Sequence, residues 1–318
     1  AGQHDEGREA SRPGELRTGL GHLAAGHRRG RVVGDRVPLQ ARVEPRGQLR
    51  GDSQQAGGLA GVVVLRLLGG EGLMMATVGH DFAPYERWLQ ERGIALTHVR
   101  EVPGEFTAQA YITTDLDGNQ ITAFHPGAMN HAHVNKVSAA PGTRLGIIAP
   151  DGRQGMLEHA AQFTAAGIPY MFDPGQGLPM FNGEELRAFV VGAEWVAVND
   201  YEASLLAERC GWSAEQIAAQ VRALIITRGG EGSWIYADGQ RHEIPAARAA
   251  QLADPPGCGD AYRAGLLYGL QRGLDWPTTG RIAALAGTIK IEHHGTQHHR
   301  YDWAGFATRF RQEFGFAP

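Results

Sequence analysis

The sequence predicts an α/β fold: a mostly parallel sheet flanked by helices, with a small β lid. Three observations carry this expectation. After about residue 143, short apolar strands alternate with helical stretches, the pattern of strands crossing over through helices. Polar residues stand just past three of those strands, namely Asp173, Asn199 and Thr227, and ligands in such sheets bind beyond the carboxyl ends of strands. Two β-rich runs, 106–114 and 120–124, flank Asp117-Gly118-Asn119, which is a strong hairpin signal.

The elements follow in order. Residues 62–68 are apolar and end at Gly69-Gly70, and Leu73 to Gly79 reads as a buried strand. Residues 83–92 read as a helix stopped by Gly93, and the hairpin comes next. Strands are then expected at 145–149, 169–172, 195–198 and 224–227, and helices near 154–166, 183–191, 200–209 and 214–222. One body over 61–318, with its lid at about 101–130, accounts for all of them.

Residues 1–60 differ in composition. None of the 11 Phe, 8 Tyr and 6 Trp precedes Phe82, no Ile precedes Ile94, and Arg and Gly crowd the stretch. So little aromatic and β-branched surface buries little, and the expectation is poor order or a stretch read from a shifted frame. A basic arm for an acidic partner is the lesser alternative, because Asp and Glu are interspersed.

A net charge of −4 argues against nucleic acid or an anionic membrane as partner. Two cysteines, Cys210 and Cys258, make no disulfide framework and suit a reducing cytoplasm. No apolar run approaches a membrane span, so a cytoplasmic protein is expected.

The most informative stretch is Asp254-Pro255-Pro256-Gly257-Cys258-Gly259-Asp260, which runs directly into a helical pattern. Glycines let successive N–H groups point outward, and a helix start adds unpaired N–H groups and a positive dipole end. Such a place attracts phosphate. A carboxylate beside it fits a base that accepts the proton of an attacking hydroxyl. An ordinary glycine-rich helix start with an acidic first turn is the plain alternative. Asn199 and Glu202 could sit near magnesium and phosphates, yet Asn with Glu three residues on is also a capping box. Thr227, Gly229, Gly230 and Gly232 form a turn that could pass close to a nucleotide, or an ordinary hairpin turn. His293, His294, His298 and His299 read as a solvated segment rather than a metal site.

These segments together resemble the ribokinase-like, or PfkB-type, carbohydrate kinases. Asp254 to Asp260 is similar to that family's Asp-Thr-x-Gly-Ala-Gly-Asp signature. Asn199-x-x-Glu202 resembles its magnesium and phosphate motif, Thr227 to Ser233 its nucleotide turn, and Gly69-Gly70 to Asp81 its usual early segment. The wording of 74–130 is most like bacterial adenosine-kinase-like members. The resemblance implies Asp260 as catalytic base, with backbone N–H groups of Gly257, Cys258 and Gly259 as the anion hole. It implies ATP and Mg2+ as cofactors, with Glu202 on the metal, and a monovalent cation such as K+ near Asp254. It places the acceptor against Gly57, Gly58 and Gln109, and allows two copies to pair through their lids. Two departures stand out: Pro255 replaces the usual Thr, and Val62 stands where the family's Gly-Gly-x-x-x-Asn motif has Asn.

The function expected is therefore ATP-dependent transfer of a γ-phosphoryl group to a hydroxyl of a sugar or nucleoside. The alternative is a nucleotide-binding homologue impaired by the loss of its N-terminal sugar-gripping residues. A dinucleotide oxidoreductase is disfavoured, since no Gly-x-Gly-x-x-Gly turn follows an early strand.

Overall fold

The computed structural model describes residues 33–38, 42–43, 49–50, 57–114 and 120–318; for 33–60 and 111–122 only the backbone is described. Most of the compositionally unusual stretch 1–60 lies outside the described residues.

Strands β1 (Val33–Pro38), β2 (Arg42–Val43) and β3 (Leu49–Arg50) precede helix α1 (Gly57–Leu67). Then come β4 (Met75–Val78), α2 (Ala83–Gln90) and β5 (His98–Glu101). The lid hairpin is β6 (Gln109–Thr114) and β7 (Gln120–His125), antiparallel, with β1 paired to the outer side of β6. The main body runs β8 (Gly146–Ile148), α3 (Arg153–Ala166), β9 (Tyr170–Phe172), α4 (Gly183–Gly192), β10 (Trp195–Asn199), α5 (Asp200–Cys210), α6 (Ala214–Ala218) and β11 (Ala223–Thr227). A hairpin, β12 (Ser233–Ala237) and β13 (Gln240–Ile244), is followed by α7 (Cys258–Arg272), α8 (Trp276–Ile291) and α9 (Trp303–Phe314).

The six-stranded sheet has the order β13-β12-β11-β10-β9-β8. Strands β8 to β11 are parallel, and β12 and β13 close one edge antiparallel. Its strands alternate faces as a pleat requires. Trp195, Ala197, Ala223 and Ile225 meet α1, α7, α8 and α9, while Val196, Val198, Leu224 and Ile226 meet the α3 to α6 layer. Because both faces are covered, these strands read as unbroken apolar runs.

Helix α6 is shorter than its apolar pattern implied and closes at Ala218. Strands β5 and β13 carry too little apolar pattern to stand out in sequence. Residues 62–67 belong to α1, and Leu68 lies in the turn that follows it.

Strands β4 and β5 form a separate two-stranded parallel sheet, packed with α2 around Trp88 and Leu89. A cleft of about 730 Å³ separates β4 from the outer edge of β8; α1 and α7 also line it. Helices α7 and α8 pack closely because Gly265 abuts the Ala283 backbone, and a methyl at 265 would run into it. Gly265→Ala should therefore lower stability by about 1–3 kcal/mol through overpacking, read from the urea midpoint.

Candidate active site

Strands β9, β10 and β11 run parallel and adjacent, so Asp173, Asn199 and Thr227 reach the same edge of the sheet. Residues 199 and 227 are direct partners in the register. Helix α7 starts above this edge. Its cap, Gly257, has φ of +84°, a left-handed conformation that suits glycine. A Cβ there would also approach the Thr296 side chain to 3.0 Å, so a side chain at 257 would displace the neighbouring loop.

The turn leaves amide hydrogens free. Cys258 N–H donates to the Pro255 carbonyl at 3.2 Å, and Ala261 N–H donates to Gly257 O at 3.0 Å. The N–H groups of Gly257, Gly259 and Asp260 meet no acceptor among the described residues. Of the three anion-hole donors inferred from sequence, Cys258 is thus partly engaged within its own turn. The Cys258 thiol is pushed up to about 11, mainly by burial, and stays neutral.

Asp260 keeps part of its surface open in the first turn of α7. Burial pushes its carboxyl up to about 7, helped by the nearby Asp173 charge and opposed by Arg263 and Lys290. A carboxyl poised there gives up and takes a proton near neutral pH, as a general base must.

One turn on, Arg263 is buried, 7 % exposed. Its guanidinium donates to both oxygens of Asp173, at 3.0 and 3.1 Å, and to the Ala197 carbonyl at 3.3 Å. It also lies 3.8 Å from Glu202 Oε2. Sequence reasoning placed Asp173 at a strand end but did not find Arg263, which looks like one polar residue of a helix. Only the fold reveals that it joins α7 to three elements.

Asn199 and Glu202 form a complete capping box on α5, with bonds of 2.7 and 2.8 Å between each side chain and the other's N–H. Glu202 commits Oε2 to that bond and leaves Oε1 without a partner among the described residues. Burial is the first reason its carboxyl is raised.

The turn from Thr227 to Gly232 has two characters. A Cβ at Gly229 or Gly230 would meet nothing, whereas Gly232, at φ +85°, presses on the Ile244 carbonyl. Ser233 Oγ and Tyr262 Oη share a 2.6 Å hydrogen bond, tying this turn to the helix that carries Asp260.

Gly57 and Gly58 open α1, whose Gly61 passes the Asp260 carbonyl at 3.9 Å from a would-be Cβ. Gln109 donates to Asp81 Oδ2 at 3.2 Å at the base of the lid. Asp81 also accepts from Thr107 N–H and Oγ1, at 2.8 and 2.7 Å.

Asp254 does not stand open. Its Oδ2 accepts from Gly295 N–H at 2.8 Å, and the Lys290 ammonium touches its carbonyl at 2.6 Å. The histidine-rich segment is also less solvated than its composition suggests. His293 and His294 are exposed, but Gly295 to Gln297 and His299 are buried. Burial drives His299 down to about 3, so it stays neutral. The segment is held by Gln297, which accepts from Tyr85 Oη at 2.6 Å. Among the described residues, no group of three or more His, Cys, Asp or Glu side chains could hold a metal.

A parallel sheet with a carboxylate and free amides at its carboxyl edge, beside a glycine-rich turn, is an arrangement suited to phosphoryl transfer in an enzyme of the α/β class. The profile of the "pfkB family carbohydrate kinase" matches residues 30–303, and the chain belongs to that family. It is a kinase that transfers the γ-phosphoryl group of ATP to a hydroxyl of a sugar or nucleoside. A nucleoside kinase of Burkholderia thailandensis, solved in complex with inosine, is 48% identical, with a TM-score of 0.80 over 83% of this chain and 87% of the other. The same protein with ADP-inosine gives 46% identity and a TM-score of 0.81, covering 87% and 86%. A nucleoside kinase of Methanocaldococcus jannaschii is 32% identical over 76% of this chain and 80% of its own length. No helix among the described residues is long and apolar enough to cross a membrane.

Proposed function

We propose that the chain phosphorylates the primary ribose hydroxyl of a nucleoside, with Mg-ATP as donor. The observation that carries the reading is Asp260, a raised carboxyl beside uncommitted amides at the start of α7. Similarity to a kinase solved with inosine supports a nucleoside over a free sugar. Asp260 accepts the proton of the attacking hydroxyl. The Gly257 and Gly259 N–H groups and the positive end of α7 stabilise the transferring phosphoryl group. The turn from Thr227 to Gly232 packs along the nucleotide, and Gly229 and Gly230 allow close approach.

Glu202 Oε1 would be a fitting donor toward hydrated magnesium, since Oε2 is committed to the Asn199 N–H. When bound, magnesium neutralises phosphate charge; Asn199 keeps Glu202 in place. Gln109 and Asp81 set the base of the lid over the acceptor, and pairing of two copies through their lids belongs to the same reading.

A panel of inosine, guanosine, adenosine, ribose and fructose, each with Mg-ATP, tests the proposal through the phosphorylated product. Nucleosides should exceed free ribose by about 10-fold or more in kcat/KM, the scale on which lost binding contacts appear. Preference for ribose or fructose would refute nucleoside specificity. The second reading, a nucleotide binder that turns over little, is favoured by Val62, which lines the β4–β8 cleft where the family motif has an amide. ADP binding with no acceptor phosphorylated would establish it.

A further inference from the structure

The family resemblance implies a monovalent cation beside Asp254, and the residues here do not fit one. Lys290, in the last turn of α8, has no exposed surface. Its ammonium donates to the Asp254 carbonyl at 2.6 Å and to the His293 carbonyl at 3.4 Å, with Asp254 Oδ2 also 3.4 Å away. Three oxygens thus surround a group with three N–H donors, which a buried ammonium requires. A potassium ion among the same oxygens would meet a like charge within a few ångströms.

We infer that the Lys290 ammonium does the work of the family's monovalent cation, so that the catalytic turn is held without K+. The inference rests on the kinase reading of the site. The surroundings show what the ammonium holds. Ala253 and Asp254 N–H groups donate to the Ile291 carbonyl at 2.8 and 3.1 Å, and Gly295 N–H returns to Asp254 Oδ2. Lys290 closes this stitch between the segment entering the nest and the loop that follows α8. Thr296 of that loop then supports Gly257 from behind. Lys290 is a positioning residue: it touches the turn, whereas Asp260 and the free amides meet the reacting groups. Nothing in the sequence marked it, since a lysine in a late helical turn usually caps the dipole in solvent.

The test compares KCl with choline chloride at equal ionic strength, reading turnover, ADP affinity by calorimetry and the melting temperature. The protein should behave the same in both salts, within about twofold in turnover, a difference too small to signal lost positioning. Lys290→Ala opens the cage. In choline chloride it should lose about 10²-fold in kcat, the size expected when a catalytic turn shifts by an ångström, and should recover in part with K+ or methylammonium. Activation of the unmodified protein by K+ of tenfold or more would overturn the inference. So would a Lys290→Ala variant equal to the parent in choline chloride, or one that no cation restores. If Lys290→Ala does not fold, the salt comparison on the unmodified protein still decides. Should no acceptor be phosphorylated in either salt, the kinase reading fails. ADP affinity and melting temperature then still report on the cation: equal values uphold the inference, and tighter binding or a higher melting temperature in KCl overturns it.

Discussion

Asp260→Asn should lower kcat by about 10²–10⁴-fold, while ADP binding measured by calorimetry stays close to that of the parent. The loss follows from removing a proton acceptor while keeping its shape. The same substitution should make the protein more stable at pH 8. Asp260 is raised from the ordinary carboxylate range to about 7 in the folded protein, chiefly by burial. The unfolded chain therefore releases this proton near pH 4, while the folded one holds it until about 7. Its contribution to stability is fully present below about pH 4 and lost as pH rises through 7. An asparagine carries no proton to lose. The unfolding free energies of the two proteins should differ least at pH 4 and separate by up to a few kcal/mol at pH 8, the variant being higher, as urea titration at the two pH values would read. In the parent, kcat/KM should rise through a single ionisation near pH 7. A variant with near-normal turnover would remove Asp260 from the chemistry. Identical stability at pH 8 would remove the burial argument.

Arg263→Met should cost about 3–5 kcal/mol of stability, because it leaves the carboxylate of Asp173 buried without its partner. It also exposes Asp173, Glu202 and Asp260 to one another without the cation between them. Arg263 holds the Asp260 carboxyl down, so removing it should move the ionisation in kcat/KM to higher pH. Adding Asp173→Asn to Arg263→Met removes the orphaned charge and should return about 1–3 kcal/mol, a coupling typical of residues sharing one network. Urea titration of the four proteins in the cycle measures each term. A loss under 1 kcal/mol for Arg263→Met would mean that water already reaches the pair.

The body of the fold was readable because its signals are local. The runs 195–198 and 224–227 are strands on apolar content alone, and they appear as β10 and β11. Asn199 and Glu202 sit three apart, so the same pair could be recognised as a cap without knowing the fold. The start of α7 was marked by two glycines and two aspartates within the seven residues 254–260. What escaped is long-range. Arg263 and Asp173 are 90 residues apart, and neither has a pattern that names the other. Lys290 and Asp254 are separated by a whole helical hairpin, α7 and α8. The loop after α8, which holds the buried His299, meets α2 through Tyr85 and Gln297, a contact between distant segments. Charge and histidine content cannot foresee that.

Among the described residues, a cleft separates β4 from β8, and their two sheets are framed separately. No strand-to-strand hydrogen bond bridges them among the described residues, so the half bearing the lid is joined to the larger sheet through helices instead. Gly61 of α1 comes close to the main chain of Asp260, so the two halves meet beside the carboxylate on which the proposed mechanism depends.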